Sequence, residues 1–342
     1  MRNVVSFLFL LPLLLTILLT GCIQHEGKVK IVDQAGREVE IPAKVERIVS
    51  LWPEATRVLF ALGEGDKIVG LDSDSKKCPI LTRAFPDRLN EIPDIGSSIR
   101  GTLSLEKLAE LKPDIIFVRV EDRELADKIQ QTLGVPVVCV RMDKFNPPKT
   151  TFDIITIIGK CVGKEERAME LKAYLEDKIR EVKTNTSKIP EEKRPKVYVA
   201  NPFDLNSVIA IATDVEIAGG KSMSVYCKSW SCRVGFEQIA RWNPDVVLLH
   251  AYGRFTLKDL ENDPNWQKIK AVRDGRVYRI LFGYVGKDPA LFVINVLTEA
   301  KILYPNLFNY DVEKVANDIF KFVYSVDGLY TKLKEDFKLS EV

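Results

Sequence analysis

Leu103–Val118 reads LSLEKLAELKPDIIFV, and Val234–Leu249 reads VGFEQIARWNPDVVLL. The two stretches lie 131 residues apart and share Glu106/Glu237, Ala109/Ala240, Pro113/Pro244 and Asp114/Asp245. Apolar residues recur at 103/234, 105/236, 108/239 and 111/242, then fill the last four places. Spacings of three and four followed by an unbroken apolar run predict a short amphipathic helix, a Pro-Asp turn and a buried strand, twice. A supersecondary unit that returns in this way predicts two similar lobes. Two lobes make a cleft, and clefts between lobes are where small ligands bind.

The flanking sequence extends the pattern. Lys28 to Ile41 alternates around a turn at Asp33 to Gly36, a hairpin signature. Short strands at Arg47–Leu51, Ile68–Leu71 and Val137–Val140 alternate with helical stretches at Pro53–Leu62 and Glu121–Leu133, while Pro79–Pro93 reads as irregular. Strand–helix alternation predicts parallel α/β construction. Thr150 to Thr184 carries no strand signal, and KEERAMELKAYLEDKIREVK within it is rich in strong helix formers. It predicts one long connecting helix, with Gly159 and Gly163 as places where it could bend. The second lobe follows with a strand at Lys196–Ala200, a helix at Ile211–Gly220, a loop at Cys227–Val234, the second repeat, a strand at Arg276–Ile280, and helices at Pro289–Leu303 and Val312–Val323.

The N-terminus bears on location. Arg2 precedes an apolar run from Val4 to Leu19, then Leu19-Thr20-Gly21-Cys22. A basic start, an apolar core and small residues before a cleavage point make a secretory signal. The run is shorter than the ~20 residues of a spanning helix. Cys after Thr-Gly matches the bacterial and archaeal lipoprotein box, which implies cleavage before Cys22 and lipid on its sulfur. An ordinary signal or an uncleaved anchor is the other reading of the same residues. Residues 1–21 are thus read as signal peptide, 22–30 as lipidated tether, 31–149 as the first lobe, 150–185 as the connecting helix and 186–342 as the second lobe.

Hydrophobic residues make up 46% and charged residues 29%, ordinary for a globular chain, and the net charge of +2 comes with no long basic block. Nucleic acid is therefore not an expected partner. Without Cys22 the chain keeps five cysteines, an odd number. Cys139 lies in an apolar strand and reads as a buried thiol. Cys227 and Cys232, in YCKSWSC, are close enough for a local disulfide outside the cell. Apart from His25 in the tether the only histidine is His250, too few for a bare zinc or manganese site, so no direct metal ligands are expected. There is no G-x-S-x-G elbow and no metal-ligand helix, which argues against an enzyme.

The chain resembles the substrate-binding lipoproteins of ABC importers for iron-siderophores, haem and vitamin B12. The resemblance rests on DQAGREVEIPAKVERIVSLWPEATRVLFALG at 33–63, IPDIGSSIRGTLSLEKLAELKPDIIFV at 92–118 and LGVPVV at 133–138. In the second half it rests on AGG at 218–220, FEQIARWNPDVVLL at 236–249, DPNWQKIKAVRDGRVYRI at 263–280 and YPNLF at 304–308. It implies two Rossmann-like α/β lobes joined by a single long spine helix, with small closure motions and a ligand cleft between the lobes. It implies an extracytoplasmic, lipid-anchored monomer without a resident cofactor. Its partners would be an ABC permease with its ATPase, and its cargo an iron(III) chelate, a corrinoid or haem. A surface adhesin or signalling receptor reusing the fold is the alternative of a different class. Two departures fall in the cleft. Thr56 is followed by Arg57 where the family has a Ser or Thr-Glu pair, and FGYVGKDPALFVI at 282–294 lacks a tryptophan often found there.

By matching position, Glu237 and Glu124 are the expected permease-docking carboxylates, with Glu106 competing in the first lobe. Arg100, Arg119 and Trp230 match ligand-contacting positions in siderophore- or cobalamin-binding relatives. Tyr252 and Arg254 follow the second repeat strand, Trp52 follows strand one, and Tyr284 lies in the departing segment. All are expected at the ligand, where arginines and aromatic rings suit a large or anionic metal complex.

Overall fold

The computed structural model describes residues 27–142, 152–210, 213–224, 227 and 231–342. Strands β1 (Lys28–Val32) and β2 (Glu38–Pro42) form the antiparallel hairpin. It starts inside the stretch read as tether, because Lys28 and Lys30 already pair across to Pro42 and Glu40. The first lobe holds β3 (Ile48–Ser50), β4 (Ile68–Leu71), β5 (Ile115–Arg119) and β6 (Val137–Val140) in the parallel order β4-β3-β5-β6. Helix α1 (Pro53–Ala61) follows β3 and α2 (Leu105–Glu110) precedes β5.

The second lobe contains β7 (Lys196–Asn201), β8 (Asp204–Ile209), β9 (Lys221–Ser222), β10 (Ser231–Arg233), β11 (Val246–His250) and β12 (Val277–Ile280). Their order is β10-β8-β7-β11-β12, with β9 beside β7. The sheet is mixed: β8 runs antiparallel to β7, and β10 antiparallel to β8. Sequence reading missed β8 and read β10 as loop, because both are short and half-polar and form only through pairing with their neighbours.

The repeat is the same construction built twice. Asp114 Oδ2 accepts from the Glu46 and Arg47 amides at 2.8 Å each, and Asp245 Oδ2 accepts from the Lys196 amide at 2.8 Å. Each carboxylate thereby pins the start of the neighbouring strand, pairing Ile48 with Ile115 and Val197 with Val246. Arg47 donates to the Leu111 carbonyl at 2.6 Å, and Lys196 Nζ donates to the equivalent Trp242 carbonyl at 3.0 Å, each a cation on a helix C-terminus. Lys112 and Asn243, one residue before each Pro, both turn with positive φ, 44° and 46°. Matched turn chemistry makes the repeated unit a structural duplicate, set in a four-stranded parallel sheet in the first lobe and a six-stranded mixed sheet in the second.

The parallel strands β3, β6 and β11 are buried along their whole length, as parallel strands covered on two faces require. Along β5, Ile115 and Phe117 face the main core, whereas Ile116 and Val118 face a second cluster with Ala126 and Ile129. The main core runs without a break from the first lobe through the connecting helices into the second lobe. The connection is not one helix over 150–185. It is two, α3 (Asp153–Val162) and α4 (Glu165–Thr186), because Gly163 takes φ 68° and closes α3 in a left-handed cap. Helix α5 (Pro289–Leu303) packs against α4 and is buried along almost its entire length. The C-terminal helix at 329–337 returns to the first lobe, where Arg83 Nε meets Asp336 at 2.6 Å and its guanidinium lies 4.7 Å from the Phe337 ring. Among the described residues no helix is long and apolar enough to cross a membrane.

Three of the four edges of the two large sheets are covered. On β6, the Val137 carbonyl accepts from Arg37, the Cys139 amide donates to Asp33, and the Cys139 carbonyl accepts from the Gln34 amide, all within 2.9–3.1 Å. On β12, Arg279 exchanges bonds with Ser340 of the C-terminal tail, and on β4 Leu71 exchanges bonds with the 93–95 segment.

Candidate functional site

Loop 281–288, after β12 of the second lobe, meets helix α1, which follows β3 of the first lobe, and makes the junction. It is gripped from the first lobe by two buried charges on α1. Arg57, 1% exposed, donates NH1 to the Tyr284 carbonyl at 3.0 Å and NH2 to the Val285 and Lys287 carbonyls at 3.2 and 2.7 Å. Its Nε lies 3.7 Å from Asp288. Glu54, fully buried, accepts from the Lys287 amide at 2.7 Å, the Met142 amide at 2.6 Å and the Trp52 indole at 3.0 Å. The two departures from the family pattern are thus a single contact, with Arg57 holding the segment that lacks the tryptophan. A Cβ on Gly286 would stand 2.6 Å from Glu54 Cγ, so only glycine lets the loop approach this closely.

Trp52 follows β3 and stands at the N-terminal cap of α1 on the first-lobe side of this junction. It is nearly buried, and the Arg119 guanidinium lies 6.0 Å from its ring centroid. Arg119 ends β5 and pairs with Asp122 at 2.8 Å. Arg100 has a largely exposed side chain and pairs with Asp74 at 2.7 Å. Asp74 is placed by the short helix at 73–76, whose cap Asp72 accepts from the Asp74 and Ser75 amides at 3.0 and 3.2 Å. Burial pushes the Asp72 carboxyl up to about 6, against the hydrogen bonds from Ser75 and Asp74.

On the second-lobe side Tyr284 is half-buried, and the charges of Asp74 and Arg100 act on its hydroxyl from across the cleft, although burial is the main cause of its raised pKa. Tyr252, expected at the ligand, is half-buried, with its hydroxyl turned away from solvent. The oxygen is buried without a hydrogen-bond partner, and the ring packs edge-on to Tyr284 at 5.9 Å and Phe337 at 4.8 Å, so its aromatic packing turns it inward as a wall behind Tyr284. Arg254 is exposed, stands 4.8 Å from the Phe255 ring, and its amide donates to the Pro202 carbonyl at 3.1 Å. His250 accepts from the Tyr252 amide at 3.2 Å and is pushed down to about 4 by burial, so it stays neutral and structural.

Sequence reading missed Asp74, Asp122 and Glu54, which hold Arg100, Arg119 and the 281–288 loop. Phe203 is 63% exposed on the β7–β8 turn, where its amide donates to Asn201 Oδ1 at 2.8 Å. Cys227 and Cys232 form a disulfide, and Cys78, Cys139 and Cys161 are buried free thiols. Cys22 and Trp230 lie outside the described residues. Glu237 and Glu124 are exposed in the first turns of their helices and make no ion pair among the described residues, and Glu106 stands at the equivalent position to Glu237 on α2. Among the described residues no group of three or more His, Cys, Asp or Glu is placed to hold a metal ion.

A family model described as periplasmic binding protein matches residues 48–282. The chain is 22% identical over 316 residues to the uncharacterized ABC transporter substrate-binding lipoprotein YvrC of Bacillus subtilis, covering 86% of this chain and 96% of the relative. It is 26% identical over 333 residues to the molybdate-binding protein MolA of Haemophilus influenzae, covering 86% and 90%. The molybdate-bound MolA structure superposes with a TM-score of 0.76 at 24% identity, over 87% of this chain and 98% of that one, which is a likeness of fold. The Fe(3+)-citrate-binding protein YfmC of B. subtilis is 24% identical over 222 residues, covering 61% and 65%.

Proposed function

This chain belongs to the periplasmic binding protein family, and from that premise we propose that it captures a chelated metal, an iron(III) complex, and hands it to an ABC importer. It is a binding protein rather than an enzyme, like the relatives named above. The observation that carries the cargo reading is the first-lobe face. Arg119 lies over Trp52 with Arg100 on the same lobe and Tyr284 across from it, a surface of flat rings and guanidinium forks suited to a wide complex rimmed with oxygens. YfmC supports the iron reading through its name. A corrinoid or haem would use the same aromatic faces. A bare oxyanion is a second reading, supported by the similarity to MolA. We further propose that the body is tethered through Cys22 to the outer face of the cell membrane and works as a monomer with a permease and its ATPase.

The test is a tryptophan-fluorescence titration of the full chain with ferric hydroxamates, ferric catecholates, ferric citrate, haem, cobalamin and molybdate. Saturable submicromolar quenching by one ferric class is the expected result. Silence from every ferric chelate, in protein shown to be folded by circular dichroism, would remove the iron assignment.

Docking is proposed through Glu237 in the second lobe and Glu124 in the first. Glu237→Ala is expected to lower transport in reconstituted vesicles by about tenfold while leaving cargo affinity intact, because an exposed charge acts on encounter and orientation. Glu106 is the structural twin of Glu237, and comparison of Glu124→Ala with Glu106→Ala identifies the first-lobe contact. Unchanged transport in Glu237→Ala would dismiss the second-lobe contact.

A further inference from the structure

The arginines facing the cleft from the first lobe are already neutralised. Asp74, almost fully buried, accepts from Arg100 NH2 at 2.7 Å, Arg100 Nε at 3.3 Å and the Ser97 hydroxyl at 3.1 Å. Asp122 accepts from Arg119 NH2 at 2.8 Å and the Ser98 hydroxyl at 2.7 Å. The two carboxylates make the same arrangement side by side, each binding one arginine and one of two consecutive serines. Arg141, at the end of β6, has Glu121 at 3.5 Å. Asp72, behind the cluster, adds no positive charge. In the second lobe Arg233 and Arg254 act on Asp204, whose carboxyl is held below the usual range chiefly by the Ser207 hydroxyl.

These pairs aim the guanidinium groups and also cancel them. A carboxylate partner fixes an arginine's orientation, so its remaining N–H groups present a set of donors in fixed positions. A polyanionic guest bound to those donors would lie within a few ångströms of Asp74 and Asp122 and be repelled by both. A neutral guest with acceptor oxygens meets the same donors without that repulsion. Specificity by like-charge juxtaposition is a recognised way to reject a competitor.

We infer that this cleft is built for a cargo of little or no net negative charge, such as a neutral ferric trihydroxamate, and rejects bare oxyanions and triply negative ferric tricatecholates. The inference rests on the chelate-binding reading above and narrows it to one charge class. Between the two readings of the cleft, it favours the chelate over molybdate. Asp74 and Asp122 are the residues that set the preference, acting both directly on the guest's charge and through the arginines they hold.

The experiment is a fluorescence titration of the full chain, wild type and the variants Asp74→Asn and Asp122→Asn, with a neutral ferric trihydroxamate, a ferric tricatecholate and sodium molybdate. The wild type is expected to bind the trihydroxamate most tightly. Each variant is expected to raise the affinity for the tricatecholate relative to the trihydroxamate by about tenfold, the size of one like-charge contact with a triply negative guest across a solvated cleft. The two variants sit on different elements, Asp74 on the short helix at 73–76 and Asp122 in the turn after β5, and circular dichroism on each identifies any that fails to fold. Tighter wild-type binding of the tricatecholate or of molybdate overturns the inference while leaving a binding protein in place. An unchanged affinity ratio in both folded variants also overturns it. If the folded wild type binds neither of these two chelates, this inference falls, and the ferric citrate, haem and cobalamin arms of the titration above decide separately whether the chelate reading stands.

Discussion

Arg57→Met is expected to lower the unfolding free energy by about 3–5 kcal/mol, the range for removing one partner of a buried ion pair. The side chain is 1% exposed and holds three carbonyls of the 284–287 loop as well as facing Asp288. Methionine fills much of the volume but donates nothing. The Tyr284, Val285 and Lys287 carbonyls lose their donor, and the buried Asp288 carboxylate loses its cation. Asp288 also receives the Tyr324 hydroxyl and caps α5 through the Leu291 amide at 2.7 Å, so damage there spreads into the helix. Urea denaturation reads the loss directly. A change below about 1 kcal/mol would mean that the lobes are held by the apolar core alone. Arg57→Lys separates charge from shape, because an ammonium cannot span three carbonyls as the guanidinium fork does.

Glu299→Met is expected to act in the opposite direction and stabilise the protein by about 1–3 kcal/mol at pH 8, the cost of a buried polar group left without a partner. Glu299 is 1% exposed on α5, and neither carboxylate oxygen has a hydrogen-bond partner among the described residues. Burial raises its pKa well above the ordinary 4.5, the neighbouring Asp214 carboxyl raises it further, and Lys287 opposes both. The sign follows from proton counting. Above 4.5 the unfolded chain has released this proton while the folded chain still holds it. The group's contribution is therefore fully present below 4.5 and is lost as pH rises toward the folded value. The advantage of Glu299→Met should shrink as pH falls from 8 toward 4.5. Asp214 is shifted in the same direction by burial, so some pH dependence persists in the variant. Thermal denaturation from pH 5 to 8 measures both effects. A variant less stable than wild type at pH 8 would show that the carboxyl contributes a favourable interaction.

What the sequence makes legible is what short-range chemistry decides. The repeat can be read because helix periodicity, the Pro-Asp turn and the apolar run all lie within sixteen residues, and the structure builds them identically in both lobes. The nearness of Cys227 and Cys232 likewise announces their disulfide. The site is less legible because its partners come from far apart. Arg57 meets loop 284–287 across more than two hundred residues, and nothing local in TRVLF marks that arginine as buried. Arg100 and Arg119 can be picked out as candidates, yet the carboxylates that hold them cannot, since Asp74 reaches Arg100 only through tertiary folding. Tyr252 follows a strand as a cleft residue would, but the Phe337 ring from the C-terminal helix packs against it. Gly163 was legible as a place to bend and turned out to be a full stop.

The covered sheet edges have a consequence for how copies of this protein tolerate one another. An open edge offers amides and carbonyls to any passing strand, which is how sheets polymerise. Here the outward groups of β6 are taken by Asp33, Gln34 and Arg37, those of β12 by Ser340, and those of β4 by the 93–95 segment. In a chain proposed to work tethered to a surface, neighbours collide edge to edge at high local density. With three of its four large-sheet edges closed by single turns and a tail, each copy leaves only the three-residue strand β10 as a ladder on which the next could grow.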